Sequence, residues 1–323
     1  INTKLSENLT HNYTRRALKE LNYLLTIAEE GSISKAAERL FMAQSSLSHY
    51  LQKYEAEIGG KLFVRTSTGI RPTQAGQLLI SRARGILREY RLAQNEIQDI
   101  EELKTGKIIL GISTFRGSFM LPKVLKKFRE KFPGVKVEIV ENNSMTLEEK
   151  LIEGQIDMAV VALPLKHIKT EVTFFKNDEI CLVCNQEHPV MQYVRKSEKD
   201  GHLYVDLKDT QEFEFILSDY DTILGSTARK EFKKRGIVPK ICNDNMTAPF
   251  ALRMAEEGVA LAFTYRSCRN SEGDARYLSI GERGIWLKIG FAYPPDGYRS
   301  QAAKALSEML SLIHISEPTR PEP

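Results

Sequence analysis

A chain of 323 residues, 42% hydrophobic and 27% charged, is longer than one core usually serves and too ordinary in composition to be fibrous or disordered. Four cysteines make no disulfide framework, which points to a reducing, cytoplasmic setting without bound cofactor. No apolar run approaches the roughly 18 residues of a membrane span, the opening INTKLSENLTHNYTRR lacks the apolar core of a signal peptide, and a net charge of +4 diagnoses nothing by itself.

The distribution of charge says more. Between Arg39 and Arg88 stand eight Lys/Arg and two acids, Glu55 and Glu57, a basic block that suggests a polyanion such as nucleic acid. A solvated basic face is the plainer explanation of the same run. Ile1 in place of Met reads as a truncated or fused frame, and residues 1–17 are expected to form a disordered N-terminal extension.

The first predicted helix, LKELNYLLTIAEE (18–30), carries Leu18, Leu21, Leu24, Leu25 and Ala28 at helical spacing and stops at Gly31. Ser32 or Ser34 then caps a second helix, KAAERLF, with Glu38 placed to help the cap. After a break at Met42–Ala43 comes MAQSSLSHYLQKYE. Here Leu47, Leu51, Tyr54 and Ile58 share a face expected to be buried, while Ser45, Ser48, His49 and Gln52 share the opposite one. Small hydroxyls let a backbone approach DNA, Gln and His reach base edges, and a carboxylate there would repel phosphate. A helix-poor solvent face would have a similar composition. Two short helices with a tight connection, the second followed by basic residues, fit a helix-turn-helix.

KLFVRTSTGIRPT (61–73) predicts a β-hairpin around TSTG, the wing of a winged helix-turn-helix over 18–72. Thr73 caps a long linker helix (73–104), ended by KTG, in which Leu79, Ala83, Ile86, Tyr90, Ala93, Ile97 and Ile100 recur at alternating spacings of four and three. That is a dimerising coiled-coil seam; the other reading is a helix lying on its own domain. From residue 105 onward strands alternate with helices. KIILGIS is followed by a helix from about Phe119 to Lys131, then VKVEIV, TLEEKLIEG, IDMAVVAL, EFILS, a helix near 225–236, PKICND, TAPFALRMAEEG, VALAF and WLKIGFAY. Near-continuous apolar strands argue for parallel α/β lobes, whose small-molecule sites gather at strand carboxyl ends and helix N-termini.

The stretch GSISKAAERLFMAQSSLSHYLQKYEAEIGGKLFVRTSTGIRPTQAG resembles the signature region of LysR-type transcriptional regulators: G-S-x-x-x-A-A-x-x-L, Q-S-x-L-S, E-x-x-x-G-x-x-L-F-x-R and T-x-A-G. The likeness continues through LPKVLKKFREKFPGVKVEIVE, LIEGQIDMAVV, EHPV, DLKD and RMAEEGVALAF, and so covers roughly 18–309. The resemblance implies a mixed α/β protein: a winged helix-turn-helix, a linker-helix dimer that extends to a tetramer, and a two-lobed effector domain (105–309) similar to type 2 periplasmic binding proteins. Its lobes are expected at 105–163 with 268–309 and at 168–264, the chain crossing near 163–168 and 264–268. The implied partners are double-stranded promoter DNA, a small polar or anionic metabolite, further copies of the chain, and RNA polymerase.

By motif position Gln44, Ser45, Ser48 and His49 match the family's base- and phosphate-contacting places, with Ser46, Gln52, Lys53 and Thr73 beside them and Arg65 and Arg71 on the wing. His49 stands where Arg is common and Ser45 where Pro is common, so no operator sequence is inferred. The expected effector residues are Ser113, Thr114, Ser144, Thr146, Asn245 and Thr247, at strand ends leading into helices, with Arg116 as counter-ion. Plain N-capping would account for each Ser or Thr equally well.

Three rival readings come from other residues. CLVC (181–184) suggests a redox pair, but on a strand residues i and i+3 face opposite ways and lie ~10 Å apart, beyond disulfide reach; a Cys242–Cys268 pair stays open. His11, His49, His167, His188, His202 and His314 make no metal-spaced cluster, and no G-x-S-x-G elbow or P-loop occurs, so an enzyme is not expected. A transported-solute receptor would have no use for the first hundred residues. Last, LSLIHISEPTR (310–320) resembles translated sequencing-library adapter, so the native chain is expected to run to about Met309, with 310–323 an assembly scar.

Overall fold

A computed structural model describes residues 17–67, 69–100, 106–166, 168–269, 273–295 and 299–315. Residues 1–16 of the expected N-terminal extension, Lys104 and Thr105 of the KTG helix end and 316–323 of the suspected scar lie outside these residues, whereas Ala17 already belongs to a helix and Gly106 to a strand. The chain divides near Ile97 into two units.

In the first unit α1 (17–30), α2 (Ile33–Arg39) and α3 (Gln44–Ile58) precede a hairpin of β1 (Phe63–Thr66) and β2 (Gly69–Pro72). The helix α4 (Gln74–Ile100) comes next. Leu24, Ile27, Ala36, Ala37, Leu47, Leu51, Leu62, Phe63 and Ile80 form the core of this unit. Full burial of leucines such as Leu24 and Leu47 contributes about 1.5–3 kcal/mol each. Ser32, not Ser34, caps α2 by accepting from the Lys35 amide at 3.4 Å. Lys35 therefore sits where a capping-box Glu would, so Glu38 is out of place for that role. Ile58 is 49% exposed instead of buried, because Gly59 turns left-handed there (φ 81°) and the chain leaves the core.

The buried acid of this unit is Glu55. Its carboxylate accepts from the amides of Leu62 (2.8 Å) and Phe63 (3.1 Å) and from the Lys61 ammonium (2.7 Å), tying the end of α3 to the wing. On the other side, the Ile70 amide donates to the Gly31 carbonyl at 2.8 Å, docking the wing on the end of α1. Gly69 allows this approach: it has φ 133°, and a Cβ there would run into the Gly31 carbonyl oxygen.

The second unit begins with β3 (Gly106–Ile112), α5 (Thr114–Lys131), β4 (Val135–Glu141), α6 (Ser144–Ile152) and β5 (Met158–Leu163). A long strand, β6 (Val172–Asn185), leads out to β7 (Arg195–Lys196), β8 (Leu203–Val205) and β9 (Glu214–Ser218). Beyond them lie α7 (Ile223–Arg235), β10 (Lys240–Met246), α8 (Ala248–Glu256), β11 (Leu261–Tyr265) and β12 (Ala275–Ile280). Then β13 (Ile285–Ala292) and α9 (Gln301–Ile315) complete it. The helix α5 starts five residues before its expected start near Phe119, and Pro122 lies inside it.

One sheet runs through both lobes in the order β10-β9-β11-β6-β13-β5-β3-β4, with β12 beside β6, β8 beside β12 and β7 beside β8. The pairs β3–β4, β3–β5, β9–β10 and β9–β11 are parallel, whereas β6 and β13 run antiparallel to their neighbours and join the halves. Phe175 and Phe291 belong to the core of the first lobe, and Ile180 and Leu182 to that of the second. The chain therefore crosses inside β6 between residues 175 and 180 and returns at β13, so the expected crossings at 163–168 and 264–268 are displaced. The segment after β11 stays with the second lobe, because β12 pairs with β6 there. At the far end α9 continues past Met309: Leu310 is fully buried and Ile313 packs beside it in the first lobe's core.

Candidate functional site

The outer face of α3 is polar and uncommitted. Gln44, Ser45, Ser46, His49, Gln52 and Lys53 are exposed and Ser48 is half-buried, while Leu47 and Leu51 hold the inner face. The helix opens on Ala43, which has no side chain to cap it, and its first turn contains no acid. Its first amides are thus open to an anion at the positive end of the helix dipole. The nearest acid on this face is Glu57, 3.9 Å from Lys53.

Arg65 and Arg71 are exposed on the wing. Arg71 stands opposite Val64 and Arg65 opposite Ile70, so the two guanidiniums leave the hairpin on opposite faces. Thr73 has another task. Its hydroxyl donates to the Lys61 carbonyl at 2.7 Å and accepts from the Gly76 amide at 3.0 Å, so it caps α4 and closes the hairpin. Sequence reasoning passed over Phe41. It is 98% exposed at the turn before α3 and sits at φ 52°, a left-handed backbone that favours glycine.

The heptad positions of α4 divide. Leu79 packs on the first unit's core and Ala83 is fully buried, so that end of the seam is internal. Ile86, Tyr90 and Ile97 are 51%, 48% and 61% exposed, and Ala93 is exposed beside them. The side chain of Ile100 lies outside the described residues.

In the second unit the expected effector residues collect at strand ends. Ile112 of β3 pairs with Glu141 of β4, so Ser113 and Thr114 leave the end of one strand where Ser144 and Thr146 follow the end of its neighbour. Met246 pairs with Ser218, which places Asn245 and Thr247 beside the end of β9. Asn143 caps α6 through the Thr146 amide (2.9 Å) and Thr222 caps α7 through Gly225 (3.0 Å), but the caps of α5 and α8, Ser113 and Thr247, make no side-chain capping bond. Asn245 adopts φ 56° just before Thr247. The first turn of α5 meets the end of β11: Phe115 packs on Tyr265, their ring centroids 5.9 Å apart, and the Arg116 guanidinium lies 4.1 Å from the same ring.

Arg116 is not a free counter-ion at the cleft surface. It is 2% exposed, with Asp178 of β6 at 3.6 Å. Asp178 accepts in turn from the Ser267 amide (3.1 Å) and hydroxyl (2.7 Å), and the neighbouring Glu179 takes Arg266 at 2.6 Å. Sequence reading missed Lys176, Asp178, Glu179 and Ser267; acids and a lysine within an otherwise apolar strand were the available signal.

The thiols argue against a cysteine switch. Cys181, Cys184 and Cys268 are buried, and burial pushes each up to about 12, far from the thiolate that oxidation needs. Exposed Cys242 lies on β10, two strand spacings (~10 Å) from β11 and level with Leu261, seven residues before Cys268, so the two thiols are beyond disulfide reach.

A winged helix-turn-helix followed by a two-lobed α/β domain is the architecture of a DNA-binding transcriptional regulator. Residues 18–77 match the bacterial regulatory helix-turn-helix proteins of the lysR family, and 101–311 match the LysR substrate binding domain. The chain belongs to the LysR family and is a transcriptional regulator rather than an enzyme. The nitrogen assimilation regulatory protein nac of Escherichia coli (strain K12) is 36% identical over 308 residues, 93% of this chain and 95% of that protein. A probable RuBisCO transcriptional regulator of Cyanophora paradoxa is 26% identical over 314 residues, 94% of each chain. Among solved structures a full-length OxyR variant from Pseudomonas aeruginosa superposes with TM-score 0.68 at 18% identity, covering 95% of this chain and 98% of that one. Full-length CbnR complexed with its target DNA superposes with TM-score 0.61 at 19% identity, covering 91% and 98%. At these identities the likeness is one of fold.

Proposed function

We propose that α3 and the wing read double-stranded operator DNA and that a small polar or anionic metabolite held between the lobes alters that binding. The observation that carries the first half is the acid-free, exposed face Gln44–Ser45–Ser46–His49–Gln52–Lys53 on a helix whose amides are open at its start. CbnR, similar in fold, is a regulator seen on its target DNA, which supports the same use of this unit here. Ser48 lets the backbone approach, Arg65 and Arg71 add phosphate contacts from the two faces of the wing, and Thr73 fixes the wing's base.

The second half rests on the uncapped starts of α5 and α8, with Ser113, Thr114, Ser144, Thr146, Asn245 and Thr247 around them. The exposed stripe of Ile86, Tyr90, Ala93 and Ile97 serves dimerisation, with a tetramer as the assembled state, RNA polymerase as a further partner and the cytoplasm as the place of work. The test is a footprint on DNA flanking the gene, with and without fractionated metabolites. Protection of a defined site, altered by at least one fraction, is the expected result. Protection that no fraction changes defeats the sensing half, and no protection at all defeats the reading half.

A further inference from the structure

One acid at the crossing between the lobes faces a donor from each of them. Asp178 is buried on β6 between Phe175, in the first lobe's core, and Ile180, in the second's. Its Oδ1 accepts from the Ser267 amide at 3.1 Å and its Oδ2 from the Ser267 hydroxyl at 2.7 Å. Ser267 belongs to the turn after β11 (Arg266–Cys268), and Cys268 is part of the second lobe's core. Arg116 approaches the same Oδ2 from the other lobe, since its helix α5 packs Met120, Leu121, Val124 and Phe128 into the first lobe's core.

Arg116 does not close on that oxygen. It stops at 3.6 Å, farther than the roughly 2.7–2.9 Å of a charge-assisted bond. Its Nε and Nη2 are buried without a hydrogen-bond partner, and the guanidinium rests 4.1 Å from the centre of the Tyr265 ring. The ring attracts the charge but leaves those N–H groups unsatisfied, which is costly at a buried site. A carboxylate has acceptor sites enough for both donors, so position and not capacity keeps Arg116 away. Seated on Ser267, the carboxylate stands just out of its reach.

We infer that Asp178 is a positioning residue with two seats: the present one on Ser267 of the second lobe, and another on Arg116 of the first. Glu179, on the opposite face of β6, holds Arg266 at 2.6 Å in either case, so the turn after β11 pivots there instead of detaching. Packed junctions are bistable and not continuously deformable, so closing the short gap to Arg116 moves the start of α5 against that turn, and the lobes with them. A metabolite that favours one seat biases the two states. This regulatory role rests on the reading that a metabolite between the lobes alters DNA binding.

The test is hydrogen exchange of the full chain, read by mass spectrometry, beside an operator footprint. Ser267→Ala removes the hydroxyl and passes the carboxylate to Arg116. Exchange then slows about fivefold over residues 115–118 and quickens about as much over 266–268. A merely structural loss would quicken both, so the opposite signs carry the result. Ser267→Thr, which keeps the hydroxyl, exchanges as the wild type does. In an Arg116→Gln chain Ser267→Ala no longer slows α5, and the two Ser267 variants keep the test decisive if Arg116→Gln fails to fold. The proposal is overturned if Ser267→Ala leaves 115–118 unchanged or quicker, or if the slowing persists in Arg116→Gln. Opposite shifts in exchange with a wild-type footprint overturn the regulatory role alone. A footprint indifferent to every metabolite fraction removes the sensing reading and leaves the two seats of Asp178 to stand on the exchange data.

Discussion

The helices α3 and α5 begin alike and stand in opposite surroundings. Neither receives a side-chain cap, one because Ala43 has none to give and the other because the Ser113 hydroxyl is left free. Yet the first turn of α3 presents exposed serines and a glutamine, whereas α5 buries Arg116 within its first turn. The attraction of an open helix start for anions is common to both. Burial decides which anion suits each: an exposed start is screened by salt and suits a long polyanion, while a buried start suits one small anion whose charge is felt in a low dielectric.

The largest effect that would break this comparison is on the exposed side. Ser45→Glu puts a carboxylate where phosphate is expected, and operator affinity measured by fluorescence anisotropy falls by about a hundredfold or more, with a reduced dependence on salt. Equal affinity would remove α3 from the interface. Next comes the clamp that holds the wing beside α3. Glu55→Gln weakens a carboxylate serving three donors and costs the first unit about 2 kcal/mol in denaturant unfolding.

The same clamp gives a pH dependence. Burial pushes the Glu55 carboxyl up, but Lys61 and the amides of Phe63 and Leu62 outweigh it and hold the group below its ordinary 4.5. A depressed folded value means that the stabilisation is complete above about pH 4.5 and drains away as pH falls through the folded value. Glu55→Gln flattens that acid limb; an unchanged limb would assign it to other groups.

Ile86→Asp tests the seam of α4, with sedimentation at a fixed concentration expected to move from oligomer towards monomer while operator affinity drops with it. The smallest effect sharpens the picture of the turn before α3. Phe41→Gly relieves a left-handed backbone and raises the unfolding free energy by about 1 kcal/mol or less. A lower stability would show that the ring has a packing partner.

The fold was legible where periodicity and burial agree. Leu47 and Leu51 declare the inner face of α3, and the apolar runs of β3, β5 and β11 declare buried strands. It was not legible where tertiary contacts decide. Nothing local marks Glu55 as buried, because the amides that satisfy it belong to Leu62 and Phe63 across a turn. Leu79 and Ala83 share the same heptad as Ile86 and Tyr90, and only the packing against the first unit's core separates them. The crossing between lobes, expected at 163–168 and 264–268, falls instead within β6, where β13 pairs with the polar run Lys176, Asn177, Asp178 and Glu179 and makes it strand. Arg116 was picked out as a charge at a helix start, whereas its partner on β6 was beyond the reach of spacing arguments.

The central claim is that the outer face of α3 lies on DNA. It is tested most directly by a photocrosslinking amino acid in place of His49, with one in place of Lys233 on α7 as the control, each bound to the footprinted duplex. Crosslinks inside the protected site from position 49 and none from position 233 are predicted. Full operator binding with no crosslink from position 49 would contradict the claim.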